Sequence, residues 1–301
     1  MKNSVNCNIY GRKRFPAIAV LALAIGLGIG GFFLRAPVLV VSDASFDALY
    51  GVWRTRLKTA SAELILYRRV KAVQVADTAD PAMVAFAVEE AAGAPYCILF
   101  PYRYNDGAGL YAERHPGVRV FVLGGRHTEG RLDGTVFIGT DWETDLYRAG
   151  LCAGSIARSG ADGEVLFFQN PVLSAEEQDA FERGLRDRDV EKTPKYLSVS
   201  QEYSDNKSVA CAVAAGRAEA FFEQNLGAPL VLFSWADPAL TSASVKVLFD
   251  DSPWALVARV VQTIPGNKRA GALASDVVVL GRRIQERGLI RDLKKARENE
   301  I

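Results

Sequence analysis

The chain has 301 residues, 49% of them hydrophobic and 24% charged, a balance that supports folded cores and excludes a largely disordered chain. Its formal net charge of +1 conceals a split. Residues 1–36 carry Lys2, Arg12, Lys13, Arg14 and Arg35 and no acid, so residues 37–301 set 31 basic against 35 acidic side chains and lack the footprint of a nucleic-acid binder.

From Phe15 to Leu34 the sequence FPAIAVLALAIGLGIGGFFL holds no charge. Twenty helical residues rise about 30 Å, the depth of a bilayer's hydrocarbon core. Arg12-Lys13-Arg14 precede the stretch and Arg35 alone follows it closely, so residues 1–14 are expected to stay cytoplasmic. Residues 15–34 then form a transmembrane signal-anchor in the cell membrane, and the bulk of the chain is extracytoplasmic. A cleaved signal peptide is the competing reading. Gly26, Gly28 and Gly30 fall inside this apolar stretch and not after a strand, so they are small residues of a membrane helix and not a phosphate cradle.

Beyond the span, strand-like and helix-like stretches alternate. Pro37–Ser42 reads as a strand covered on both faces. Phe46, Leu49, Trp53 and Leu57 then recur at helical spacing. Glu63–Tyr67 and Ala72–Ala76 are strand candidates. Pro81–Ala92 reads as a helix capped by Asp80, with Val84, Val88 and Ala91 inward. Strands are expected at Tyr96–Phe100, Val118–Leu123 and Val136–Gly139, with a short helix at Ala108–Arg114. The helix Asp141–Arg158 should turn Leu146, Ala149, Ala153, Ile156 and Ala157 inward. Val165–Phe168 is a strand, and Ala175–Arg186 a helix opened by a Ser174/Glu177 capping box. Leu197–Ser200, helical material over Lys207–Leu226, the strand Pro229–Phe233, the helix Trp254–Ile264 and the strand Asp276–Leu280 complete the alternation. Residues 282–301, dense in both charge signs, read as a solvated terminal helix. The fold class is α/β with parallel sheets, because helical crossovers impose parallel strands.

Cys97, Cys152 and Cys211 lie in apolar or small-residue stretches and read as buried free thiols. His115 and His127 fall in polar loop segments. With two histidines and four cysteines in all, no metal or cofactor is expected. No Gly-x-Ser-x-Gly elbow, His-Glu-x-x-His pair or phosphate loop is present, so the chain is not expected to be an enzyme.

Parallel-sheet folds collect ligands outside the carboxyl ends of their strands. There the sequence places Asp43, Ser45 and Phe46; the run from Tyr102 to Asp106; Gly124-Gly125-Arg126; Asp141 and Trp142; Gln169-Asn170; and Trp235 and Asp237. Carboxylates and amides supply directional hydrogen bonds and aromatic rings supply flat faces, a mixture suited to a sugar or nucleoside. Asp and Ser at strand-to-helix turns also serve as helix caps, and that alternative stands for each of them.

Four passages resemble the type I periplasmic binding proteins, and within them the basic membrane protein family of nucleoside-binding proteins. They are VVSDASFDALYG at 40–51, YAERHPGVRVFVLGG at 111–125, DLYRAGLCAGSIARSGADGEVLFFQN at 145–170 followed by AFERGLRD at 180–187, and LTSASVKVLFD at 240–250. The resemblance implies two Rossmann-like lobes closing on a ligand, with crossovers near Thr140–Asp145 and Ser234–Lys246. One lobe would comprise 37–140, about 235–250 and part of the C-terminus, the other about 141–234 and 251–275. It implies ligand-binding roles for Asp43, Phe46, Asp141, Asp237 and Lys246. Ser42 and Ala44 flank Asp43 where that family carries an Asn, and its lipid-attachment cysteine is absent, a role the N-terminal helix would take. The expected function is a membrane-tethered solute-binding protein that hands a small polar ligand, nucleoside or sugar, to an ABC permease. The alternative is a degenerate binding fold kept as a membrane-anchored sensor or interaction module.

Overall fold

The computed structural model describes residues 30–44, 52–76, 79–125, 134–159, 163–169, 172–198, 208–215, 227–233, 244–263, 271–280 and 287–298, with single positions at 19, 20, 23, 26, 201 and 203. Two six-stranded sheets organise them.

The first sheet contains β1 (Val38–Ser42), β2 (Val70–Gln74), β3 (Cys97–Pro101), β4 (Val120–Leu123) and β5 (Thr135–Thr140). It is joined by α1 (Val52–Leu66), α2 (Pro81–Ala92) and α3 (Asn105–Arg114). β1 and β3 are buried along their whole length, as expected of apolar runs sandwiched between helices. α2 starts where Pro81 occupies the first turn and Asp80 accepts from Met83 N at 2.8 Å. Val84 and Val88 face the core as anticipated, but Ala92 is buried where Ala91 is exposed. Glu63–Tyr67 is not a strand: residues 63–66 complete α1, and the next strand is β2. There Glu63 accepts from Val70 N at 2.9 Å, fixing the turn that follows the helix.

The second sheet contains β6 (Glu164–Gln169), β7 (Lys195–Ser198), β8 (Val209–Ala215), β9 (Leu230–Phe233) and β10 (Val245–Asp250). α4 (Trp142–Ser159) and α5 (Ala175–Arg186) cover one face, and the Ser174/Glu177 capping box opens α5. These two helices touch at glycines: a Cβ on Gly150 would collide with the Phe181 carbonyl, and one on Gly184 with the Tyr147 carbonyl. β8 corrects the helical reading of Lys207–Leu226 over its first half. VACAVAA is rich in a strong helix former, yet six of its seven residues are buried at the centre of a parallel sheet, where small side chains fit and pairing overrides propensity.

β10 pairs parallel with β9, so residues 245–250 belong to the second sheet and not to the first lobe. The chain returns only after this strand. α6 (Pro253–Thr263) packs on α1, β1 and β3, and β11 (Ala272–Leu273) pairs with β5 in the first sheet. Residues 253–263 and 272–273 therefore leave the second lobe in which they were expected. β12 (Asp276–Val279) then crosses back and runs antiparallel to β10. α7 (Arg287–Glu298) is not wholly solvated, because Leu289 and Leu293, one helical turn apart, are buried in the second-lobe core while Arg291, Lys294 and Lys295 are exposed.

Both sheets share one strand order, 2-1-3-4-5 in terms of each lobe's own parallel strands, with a sixth strand contributed by the C-terminal crossing segment. The apolar cores are continuous across the connection. Val38, Val40 and Leu99 of the first sheet, Trp254 and Val257 of α6, and Phe168, Ala212 and Leu232 of the second sheet fall in one cluster. Among the described residues no helix is long and apolar enough to cross a membrane. The expected span at 15–34 falls largely outside the described residues.

Candidate functional site

In a sheet of this order the switch point lies between its first and third strands. In the first lobe that point is the carboxyl end of β1 beside β3. Asp43, the residue after β1, is fully buried there. Tyr104 donates its hydroxyl to Asp43 Oδ2 at 2.5 Å, and Arg103 forms an ion pair with the same oxygen. Both partners come from the 3-10 turn Tyr102–Tyr104 that follows β3. Asp43 is thus held within its own lobe. Arg103, a third exposed, puts a guanidinium at the strand ends. The sequence placed Arg103 and Tyr104 after a strand without assigning them a role, because nothing local links them to a residue 61 positions earlier.

Asp141 follows β5 and accepts from Thr144 N at 3.1 Å, which makes it the N-cap of α4. Trp142 is half-buried and stacks on Phe233 at 6.0 Å and 15°, and Phe233 stacks on Phe249 at 4.8 Å and 15°. This indole is packed on the second-lobe core at the ends of β9 and β10. Lys246 is near the amino end of β10, four residues and about 13 Å from that strand's carboxyl end. Ser45, Phe46, Trp235 and Asp237 lie outside the described residues, as does the expected crossover's beginning at Ser234.

What sequence reasoning missed is the joint between the lobes. The chain passes between them three times, at Asp141, at 251–252 and at 274–275. Buried polar groups tie these passages together. Thr140 donates to Asp251 Oδ2 at 2.7 Å, linking the first passage to the second. Asp251 fits against the turn after β4, where Gly124 has φ +88° and a Cβ would stand 3.0 Å from its carboxylate. Asp141 N donates to Leu273 O at 3.1 Å, and Arg259 of α6 to Ala274 O at 2.6 Å, fastening the third.

Asp145 is the centre of the third tie. Ser275 donates its hydroxyl at 2.5 Å and its backbone N–H at 3.1 Å, and Arg148 donates to both Asp145 Oδ1 at 3.0 Å and Ser275 O at 2.9 Å. Burial pushes the Asp145 carboxyl up to about 7, against the pull of Arg148 and the Ser275 hydrogen bonds, with Asp251 adding to the rise. Lys58 of α1 reaches Asp250 at 2.8 Å and Asp276 at 3.8 Å. Burial works against its ammonium, but these carboxylates outweigh it and raise its pKa. Asp250-Asp251 reads locally as a turn before a helix, and the structure adds partners 192 and 111 residues away.

Cys97, Cys152 and Cys211 are buried free thiols, and burial lifts all three, the first two to about 12. His115 meets Glu89 at 3.4 Å and packs its ring on Tyr111 in a loop; His127 is outside the described residues. Among the described residues no group of three or more His, Cys, Asp or Glu side chains is placed to hold a metal ion.

Two parallel-dominated α/β sheets of matching order, joined by three crossing segments, define the fold of the type I periplasmic binding proteins. An ABC transporter solute-binding protein from Conexibacter woesei matches over 89% of this chain and 98% of its own, with a TM-score of 0.55 and 13% identity. A transcriptional activator of the comK gene from Bacillus halodurans matches over 88% and 97%, with a TM-score of 0.54 and 12% identity. No protein-family model and no curated protein sequence matches the chain. At these identities the likeness is one of fold, and one fold serves both a transport receptor and a regulator.

Proposed function

We propose that the chain is an extracytoplasmic solute-binding protein, tethered to the cell membrane by residues 15–34, that presents a small polar ligand to an ABC-type permease. The observation that carries this reading is the joint: three crossing segments, tied by Thr140–Asp251, Asp145–Ser275 and Arg259–Ala274, form a hinge beneath the carboxyl ends of β1 and β5. Hinged lobes bind by closing, which takes the ligand out of water and strengthens each hydrogen bond to it. The reading gives the chain no covalent chemistry. The four passages that resemble basic membrane proteins support a nucleoside, and the carboxylate and aromatic side chains at the strand ends suit a sugar equally.

One observation favours a second reading, a membrane-anchored sensor. Asp43, which the resemblance makes a ligand contact, already spends Oδ2 on Tyr104 and Arg103. A thermal-shift screen of the full chain in detergent against nucleosides and monosaccharides separates the two. A receptor melts higher as the logarithm of ligand concentration over Kd. A chain stabilised by no member of either class is not a receptor for them, and the sensor reading takes its place.

A further inference from the structure

We propose that the lower rim of the first lobe, at the amino ends of β1–β3, is a seat for anionic phospholipid headgroups that holds the lobe flush against the bilayer. The inference rests on the reading that residues 15–34 span the membrane.

The N-terminal helix enters the domain without a slack linker. Residues 30–34 are helical, and only Arg35, Ala36 and Pro37 separate them from β1. This connection is bound in place: Arg68 Nη1 donates to Ala36 O at 3.1 Å, Tyr96 N to Pro37 O at 2.8 Å, and Val38 N to Arg69 O at 2.9 Å. Leu34 to Pro37 spans at most about 11 Å even when fully extended. A headgroup layer is roughly 5–8 Å deep on each side of the hydrocarbon. The rim is therefore confined to the headgroup layer or its edge.

Its side chains suit that layer. Tyr67 packs edge-on against Phe32 at 5.9 Å, level with the last turn of the helix, where a membrane's aromatic belt lies. Arg35 stacks over Tyr67 at 4.8 Å, Arg69 lies 6.0 Å from the Phe33 ring, and Arg68 stacks on Tyr96 at 3.9 Å with Arg119 at 5.8 Å on the same ring. Four guanidiniums thus gather around three aromatic rings. The nearby acid, Glu63, is directed to the Val70 N–H. Phe33 and Leu34, 58% and 88% exposed, and Leu64 and Ile65 at the end of α1, 83% and 54% exposed, give the same rim an apolar edge. Apolar, aromatic and arginine side chains in one band form the chemistry of an interfacial surface facing acidic lipid.

The test uses the full chain in nanodiscs of phosphatidylcholine alone or with phosphatidylglycerol added. Protease protection of 15–34 reports the span, and phenylglyoxal modification read by mass spectrometry reports each arginine. Arg158, 65% exposed on the second lobe, is the internal reference. Phosphatidylglycerol should slow Arg35 and Arg119 relative to Arg158 by about fivefold each, the value of one basic residue near an acidic surface. High salt should erase the difference. A protected span with arginine rates indifferent to lipid charge overturns the seat and leaves the tether standing. An unprotected span overturns the tether and the seat with it.

Discussion

Replacing Arg148 by Met probes the joint where its chemistry is most concentrated. The guanidinium is 3% exposed, donates to Asp145 and to the Ser275 carbonyl, and lies 5.6 Å over the Phe249 ring. Met keeps most of the packing volume and removes the charge. The outcome depends on the protonation of Asp145, whose carboxyl burial raises from 3.8 to about 7. In the native protein that group holds its proton where the unfolded chain has lost it. Its contribution to stability is therefore full below about pH 4 and declines as pH rises to about 7. At pH 8 the Arg148→Met variant leaves the buried Asp145 carboxyl with the Ser275 hydrogen bonds but without its compensating charge, and the expected loss is about 3–5 kcal/mol, the range for breaking a buried ion pair. At pH 5 the carboxyl is neutral, and the loss should fall to about 1–3 kcal/mol, the cost of unmade hydrogen bonds. Urea unfolding followed by tryptophan fluorescence at both pH values measures this difference. Adding Asp145→Asn should return much of the pH 8 loss, because it removes the stranded charge. A loss below about 1 kcal/mol at pH 8, or an equal loss at both pH values, refutes the assignment of Asp145 and Arg148 as the tie.

Tyr104→Phe removes the buried hydroxyl donor to Asp43 and should cost about 1.5–3 kcal/mol in a urea melt, the value of a hydrogen bond to a charged group. An unchanged midpoint would mean that the Tyr104 hydroxyl does not hold the carboxylate. Gly184→Ala, normally worth about 1 kcal/mol to a helix, should instead destabilise by about 1–3 kcal/mol, because its methyl group meets the Tyr147 carbonyl across the α4–α5 contact. A raised melting temperature would show that the helices can part without penalty.

Much of the molecule is written in short-range patterns. Runs such as VLVVS and CILFP are apolar throughout because both faces of a parallel sheet are covered, and that property is local. Asp80-Pro81, Ser174…Glu177 and Asp141 announce helix starts because a cap needs only the backbone N–H groups of its own first turn. The burial of Cys97, Cys152 and Cys211 follows likewise from their apolar neighbours.

Tertiary structure alone decided the rest. VACAVAA has the composition of a helix and becomes a strand because β6 and β9 pair with it on both sides and α4 packs over it. VKVLFD joins the second sheet because β9 offers it a parallel edge, and this delays the return to the first lobe until 251–252. The joint was illegible for the same reason: Asp251 meets Thr140 across 111 residues and Asp145 meets Ser275 across 130. A buried carboxylate chooses its partner by where the folded backbone brings donors together, and separations of that length leave no period or spacing in the sequence to read.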